Sequence, residues 1–319
     1  MTSRFGLISN PLSHSVSQRG SHLAVVAERE SDTLFHSLDV FDALPKVMAE
    51  FAEADIDGIF VEGGDGTAMA VLTELLSGRS DLPVDTPIAL LPGGMTNTAA
   101  KAMGLHRAGK GGIRAIMSAL RAGEAERHTT HMPLLEVSLS KDGQPLYGFF
   151  LSTGAVPHGI RYCRRELHSR GAEGSFAVGL TLARLVFGPR GPDGNEVMRP
   201  TDLTCESNAF HAAGSHLFTL ATTLPQLNLG LDPFWGKEKG APLRFTHATW
   251  PANGLIRALF GILAGGPERA MRRRGMESFN IDEALLKYSG DVVLDGEFLS
   301  APPSGKIRIA TTQPLVFLR

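Results

Sequence analysis

The stretch VEGGDGTAMAV, residues 61–71, places three glycines and one carboxylate between two apolar runs. Glycine has no Cβ, so a ligand can approach the backbone closely. A helix that begins here would offer unpaired amides and the positive end of its dipole to an anion. Asp65 could hold Mg²⁺, directly or through water, and Thr67 could donate its hydroxyl to a phosphate oxygen. A strand-to-helix turn with Asp or Thr as N-cap would have the same composition. The residues of the predicted phosphate cradle are Gly63, Gly64, Asp65, Gly66 and Thr67.

A second loop, LPGGMTNTAAKAMG at residues 91–104, repeats this construction one strand later. Gly94 precedes the predicted helix, and the amide of Asn97 can both donate and accept hydrogen bonds, so it could reach a ribose or an adenine edge. A third loop carries Asn10 and Pro11 after the first strand, where an Asn-Pro turn is the simpler interpretation. Loops at the carboxyl ends of neighbouring strands meet in one crevice. We therefore predict that Asn10, Gly94 and Asn97 join the first loop in binding a nucleotide.

A candidate catalytic carboxylate lies near the C-terminus, in LDGEF at residues 294–298. Asp295 is the predicted general base, which would accept the proton of an attacking hydroxyl. Glu297 would project to the same face if this segment is extended, where it could support Asp295 or the metal. Taken alone, LDGE is more typical of a hairpin turn between exposed strands. The two glycine-rich loops in the same chain favour the catalytic interpretation.

Strands alternate with helices up to about residue 128, which indicates an α/β domain with a parallel-rich sheet and helices on both faces. Beyond this point short strands and an Asp-Gly turn predict an antiparallel, β-rich, sandwich-like domain over residues 129–308. Residues 1–128 form the predicted nucleotide-binding domain. NGLIRALFGILAGG, residues 253–266, is predicted to be a helix, either in the core or facing lipid, with a basic stretch after it.

Composition excludes several classes of protein. The chain has 319 residues, 43% of them hydrophobic, and a net charge of -2, which disfavours a nucleic-acid partner. Its two cysteines, Cys163 and Cys205, form no CxxC motif, and a reducing cytosol fits. No run approaches the roughly twenty apolar residues of a transmembrane helix. The first residues have no uninterrupted apolar segment, so we expect no signal peptide. A cytoplasmic protein is predicted.

Together the four motifs resemble the diacylglycerol kinase catalytic family, which includes bacterial lipid kinases and sphingosine kinases. Asn10–Pro11, GGDGT at 63–67, PGGMTNTAA at 92–100 and LDGEF occur in the family's order. The resemblance implies a lipid-substrate role for the second domain and a terminal strand, 309–319, that returns to the first. It also implies an ATP- and Mg²⁺-dependent kinase that phosphorylates a lipid hydroxyl, diacylglycerol-like or of a sphingoid base. Such an enzyme would meet its substrate at a membrane surface as a peripheral protein; a homodimer remains open.

The sequence departs from the family at Met95, where Thr is usual, and at Thr98, where Asp is usual. Two alternatives stay open. An NAD kinase-like enzyme would share GGDGT, although the Asn-Glu motif and the downstream Ala-Asp-Gly of such enzymes are not visible. A catalytically impaired homologue that binds nucleotide or lipid is favoured by Thr98.

Overall fold

The computed structural model describes residues 3–95, 97–105, 109–140, 143–170, 199–225, 227, 232–238, 240–250 and 268–319. The chain divides into two compact units. The first comprises Met1–Leu134 and Thr312–Arg319, and the second comprises Leu135–Thr311. The helix predicted at residues 253–266 lies outside the described residues.

The first unit is built on a mostly parallel sheet. Its strands are β1 (Phe5–Ser9), β2 (Thr33–Ser37), β3 (Gly58–Gly63), β4 (Ile88–Pro92), β5 (Thr129–Met132) and β17 (Leu315–Leu318). They lie in the order β2-β1-β3-β4-β17-β5, and only the β17–β5 pair is antiparallel. The C-terminal strand is thus inserted between β4 and β5. Every residue of β1 and β3 is buried, as expected for central strands covered on both faces.

Helices cover both faces of this sheet. They are α1 (His14–Arg19), α2 (His22–Ala27), α3 (Leu44–Glu53), α4 (Asp65–Leu76), α5 (Thr98–Ala102) and α6 (Lys110–Arg121). Phe5 and Leu7 of β1 pack with apolar residues of α2 and α6. Gly6 points to the other face, where a Cβ would lie 2.6 Å from the ring of Phe51 in α3. Alternation along the strand therefore separates two apolar layers, and the predicted α/β fold is confirmed.

The second unit is antiparallel throughout its described strands. These are β6 (Leu135–Ser138), β7 (Leu146–Gly148), β8 (Phe150–Gly154), β9 (Thr201–Ser207), β10 (His211–Thr222), β11 (Leu243–Thr249), β12 (Met276–Ile281), β13 (Ala284–Lys287), β14 (Val292–Leu294), β15 (Glu297–Leu299) and β16 (Lys306–Thr311). The described helices are α7 (Ala155–Arg170) and α8 (Glu268–Arg272). The long strand β10 pairs with β9 through its first half and with β8 and β11 through its second half, with an irregularity between His216 and Phe218. The sheet curls there, and the predicted β-rich character is confirmed.

None of the helices in the described part of the chain is both long enough and apolar enough to cross a membrane.

Candidate functional site

The three predicted loops come together at the carboxyl ends of β1, β3 and β4. The backbone N–H of Gly64 donates to the Ser13 hydroxyl at 3.2 Å. The N–H of Ser15 donates to the carbonyl of Gly93 at 2.8 Å, and the N–H of Gly93 donates to the carbonyl of Gly63 at 2.8 Å. Each loop is therefore hydrogen-bonded to another, which makes this edge of the sheet one connected surface.

Glycines in these loops pack against one another. A Cβ on Gly93 would lie 2.8 Å from the Cα of Gly63, and one on Gly94 would lie 2.6 Å from the Cα of Gly64. A Cβ on Gly63 would meet the side chain of Thr67 at 2.6 Å. The absence of side chains is thus required for contact between the two loops, whatever ligand binds. These glycines therefore have a packing role in addition to the predicted approach of a ligand.

Asn10 and Thr67 form a buried polar pair. The Asn10 side-chain amide donates to the Thr67 hydroxyl oxygen at 2.9 Å, and its carbonyl oxygen accepts the Leu12 N–H at 2.9 Å. Asn10 therefore connects the end of β1 to the first turn of α4. In this structure the Thr67 hydroxyl accepts a hydrogen bond, and its donation to a phosphate stays a prediction.

Asn97 closes the second glycine-rich loop. Its backbone is left-handed, with φ of 51°, a conformation that asparagine tolerates better than most residues. Its Oδ1 accepts the N–H groups of Gly93 at 3.1 Å and Gly94 at 2.7 Å, and its Nδ2 donates to the Gly94 carbonyl at 2.8 Å. Both acceptor positions of the amide oxygen are used, so at most one amide hydrogen is available to a nucleotide.

Two carboxylates accept hydrogen bonds from amides at the starts of α2 and α5, whereas the N-cap residue of α4 provides no side-chain cap. An oxygen of Asp65 accepts the Ala99 N–H of α5 at 3.2 Å, and Glu62 accepts amides at the start of α2. The N-cap of α4 is Gly64, which has no side chain to cap the first turn. The amides of Gly66 and Thr67 belong to this first turn, where a helix offers unpaired N–H groups to an anion.

Glu62 is a site residue that sequence reasoning missed. Its side chain is fully buried and receives hydrogen bonds from the hydroxyls of Ser9 and Ser21, from two backbone amides and from Arg19. Burial alone would raise the pKa of Glu62. The hydrogen bonds from Ser21, from the His22 amide and from Arg19, with the charge of Arg19, outweigh burial and lower that pKa. The sequence signal was a single charge at the end of an otherwise apolar strand, GIFVE.

Asp295 occupies a turn in the second unit. It follows β14 and, with Gly296, connects β14 to β15; the φ angles are 48° and 93°. Two successive positive values are typical of a two-residue type I′ hairpin turn. The carboxylate of Asp295 accepts the N–H groups of Phe149 and Phe150, each at 2.9 Å. The turn holds this carboxylate in one orientation.

Glu297 begins β15 and is exposed. An extended segment would place Asp295 and Glu297 on one face. The segment is not extended, because the chain reverses between β14 and β15, so this prediction is wrong. Any cooperation between them depends on the hairpin and not on strand alternation.

The donor set at the start of α4 fits a polyphosphate. First-turn amides and loops without side chains suit phosphate oxygens, and the carboxylate of Asp65 belongs to the oxygen ligands that Mg²⁺ takes. Within the described ranges, no group of three His, Cys, Asp or Glu side chains is placed to hold a metal ion. The role of Asp65 as a ligand of Mg²⁺ stays a prediction.

Residues 5–128 match the family model of the diacylglycerol kinase catalytic domain. The family resemblance read from the sequence motifs is therefore confirmed. No curated protein matches the chain.

Solved structures show the same fold. A candidate diacylglycerol kinase from Bacillus anthracis strain Sterne has a TM-score of 0.67 at 15% identity, with 99% of this chain and 97% of that chain covered. A second structure, described as a diacylglycerol kinase from the same strain, has a TM-score of 0.60 at 15% identity, with 99% and 96% covered. Yeast NADH kinase complexed with NADH has a TM-score of 0.52 at 10% identity, with 100% and 84% covered.

Proposed function

We propose, from the match of residues 5–128 to the diacylglycerol kinase catalytic domain, that this protein is an ATP-dependent lipid kinase. It transfers the γ-phosphoryl group of ATP to the hydroxyl of a lipid, diacylglycerol-like or a sphingoid base. The observation that carries the proposal is the convergence of three loops on the start of α4, where GGDGT runs from the last residue of β3 into the first turn of the helix and no side chain caps that turn.

In this proposal the first unit binds and orients the triphosphate. The backbone N–H groups of Gly66 and Thr67 donate hydrogen bonds to phosphate oxygens, while Asn10 and Asn97 hold the loops in place. Asp65 holds Mg²⁺, which when bound offsets the charge of the phosphates. The glycines need no rearrangement before binding, because they already pack against one another. A loop that is preformed in this way loses little conformational entropy when the ligand binds.

Asp295 is the proposed general base. Its carboxylate would accept the proton of the lipid hydroxyl while the hydroxyl oxygen forms a bond to the γ-phosphorus and the bond to the ADP oxygen breaks. The two amides that donate to it fix its orientation, which supports a positioned proton acceptor. Glu297 is proposed to support Asp295 from the other side of the hairpin.

We also propose that the protein meets its lipid at a membrane surface. Trp250 is 40% exposed, and the preceding Thr249 donates its N–H to the Gly275 carbonyl at 2.7 Å, which places Trp250 beside the end of an arginine run, Arg272–Arg274. Exposed tryptophan next to arginine suits the interface of an anionic bilayer. Sedimentation with phosphatidylcholine vesicles, with and without phosphatidylglycerol, tests this association. Equal binding to both kinds of vesicle would exclude an electrostatic attraction between the arginines and anionic lipid.

One transfer experiment separates the proposal from its alternatives. The purified protein is incubated with labelled ATP, Mg²⁺ and either mixed lipid micelles or NAD. Label in the lipid supports a lipid kinase, and label in NADP supports an NAD kinase-like enzyme. Binding of ATP with transfer to neither supports a homologue without catalysis.

A further inference from the structure

The side chain of an arginine outside the family motifs contacts the residues that immediately precede both glycine-rich loops. Arg19 is the last residue of α1, and its guanidinium contacts Glu62 at 2.9 Å and the carbonyl of Pro92 at 2.9 Å. Glu62 immediately precedes Gly63, and Pro92 immediately precedes Gly93. The positive charge of Arg19 is thus placed next to the two loops that converge on α4.

Glu62 fixes this arginine in one position. Its Oε2 accepts hydrogen bonds from Ser9 at 3.2 Å and from Ser21 at 2.6 Å, and its Oε1 accepts the His22 N–H at 3.1 Å. These bonds join the end of β1, the end of β3 and the start of α2 around one carboxylate. A buried carboxylate with this many donors has little freedom to move, so the arginine bound to it is held as well.

Arg19 has hydrogen-bonding capacity beyond these contacts. Nη1 donates to Glu62 and to the Gly20 carbonyl, and Nη2 donates to Pro92. A guanidinium has five N–H groups, so two remain after these three bonds. The side chain is 30% exposed, so a ligand can reach it. Burial, followed by the charge of Arg19, lowers the pKa of neighbouring His22.

We propose that Arg19 is a phosphate-binding residue of this site and that Glu62 is the residue that positions it. The inference rests on the proposed function in that the ligand is the phosphate chain of a nucleotide. Arg19 donates its remaining N–H groups to phosphate oxygens, alongside the amides of α4. Arginine suits this task because its planar fork matches the geometry of phosphate oxygens.

The chain offers a matched control in Arg121. Its side chain is 31% exposed and is likewise bound to carboxylates, those of Asp32 and Glu30. It lies at the amino-terminal ends of the strands, whereas the glycine-rich loops follow their carboxyl ends. Asp32 immediately precedes β2, and the Arg121 guanidinium lies over the ring of Phe5, the first residue of β1. The control therefore removes an arginine that is similarly exposed and also bound to carboxylates, but far from the loops.

The test measures the dissociation constants of ADP and of inorganic tripolyphosphate, with adenosine as a ligand that lacks phosphate. Arg19→Gln is expected to weaken both phosphate ligands roughly tenfold or more and to leave adenosine unchanged. Arg19→Lys keeps the charge but not the fork and should lie between Arg19→Gln and the unmodified protein. Arg121→Gln should bind all three ligands as the unmodified protein does.

Several outcomes would overturn the inference. These are unchanged phosphate binding in Arg19→Gln, an equal loss in Arg121→Gln, an equal loss for adenosine, or no binding of either phosphate ligand to the unmodified protein. If Arg19→Gln does not fold, as judged by thermal unfolding, Arg19→Lys decides by the same comparison.

This result is independent of lipid phosphorylation. Phosphate binding that depends on Arg19, without transfer to any lipid, would refute the proposed function and keep the inference. Transfer to lipid, with phosphate binding that is unchanged when Arg19 is replaced, would support the proposed function and refute the inference.

Discussion

Gly94 lies against Gly64 so closely that a Cβ on Gly94 would come within 2.6 Å of the Gly64 Cα. The loops after β3 and β4 therefore touch through their backbones, and the N–H of Gly93 donates to the carbonyl of Gly63. A site built in this way is preformed, because its shape depends on loop–loop contact. Its glycines also make it sensitive to the smallest added side chain.

Gly94→Ala is expected to lower the free energy of unfolding by about 1–3 kcal/mol, because the new methyl group meets backbone that cannot move aside. Gly111→Ala is the matched control. Nothing lies within 4 Å of a Cβ on Gly111 in α6, and alanine favours a helix over glycine. Urea unfolding of both variants checks the prediction. Equal stability of the two would show that the loops are not packed as described.

Glu62→Gln should destabilise the protein by about 3–5 kcal/mol at neutral pH, because it leaves Arg19 without its buried partner. Glu74→Gln is the control, since Glu74 is also buried but pairs with the mostly exposed Arg79. We expect the control to cost less. Urea unfolding at neutral pH measures the free energy of unfolding of both variants. A larger decrease for Glu74→Gln would contradict the proposed role of Glu62.

The effect of Glu62 should also depend on pH. Its pKa is lowered in the folded state, so its stabilisation is complete above the usual glutamate pKa. The stabilisation is lost as the pH falls through the lowered value. The stability difference between the unmodified protein and Glu62→Gln should therefore shrink on acidification to about pH 3. A difference that is constant from neutral to acid pH would show that the carboxylate charge contributes nothing.

Asp65→Asn tests the metal role without removing the loop contact, because an asparagine oxygen can still accept the Ala99 N–H. We expect ATP affinity in the presence of Mg²⁺ to fall roughly tenfold, since a charged oxygen ligand is lost. Binding without Mg²⁺ should change little. Asp57→Asn is the control, as Asp57 accepts the backbone N–H of Arg4 at the other edge of the sheet. Calorimetric titration measures these affinities. Equal ATP affinity of the two variants in the presence of Mg²⁺ would show that Asp65 does not hold the metal.

Asp295→Asn is the sharpest change at the proposed base. Asparagine tolerates the left-handed backbone of this turn and keeps one of the two oxygens that accept the Phe149 and Phe150 N–H groups, so the hairpin should persist while the proton acceptor is lost. Lipid phosphorylation should fall at least about a hundredfold, with ADP affinity unchanged. Asp55→Asn, at another aspartate with positive φ, should leave both unchanged. Transfer that survives in Asp295→Asn would exclude this residue as the base.

Local sequence patterns predicted the elements and loops of the first unit well. Apolar runs such as GIFVE and IALLP became buried strands, because hydrophobic continuity is itself the signature of a covered parallel sheet. The glycine-rich motifs marked where strands end and helices begin. For Asp295 and Gly296, the hairpin turn that LDGE suggests by itself is the local structure observed.

The features that the sequence could not show are contacts between residues far apart in the chain. Ser21 is 41 residues from Glu62, and Ser15 is 79 residues from Gly94. No short-range period reports such pairs, since they exist only once the sheet has formed. The positioning role of Glu62 and the mutual packing of the glycines therefore emerged only from the structure.

The most direct test of the central claim is transfer of label from the γ-phosphate of ATP to lipid. The assay uses diacylglycerol and a sphingoid base in separate mixed micelles, with NAD as a third acceptor, for the unmodified protein and Asp295→Asn. The account predicts label in one of the two lipids with the unmodified protein and its loss in the variant. Label in NADP, or bound ATP without transfer to any lipid, would contradict it.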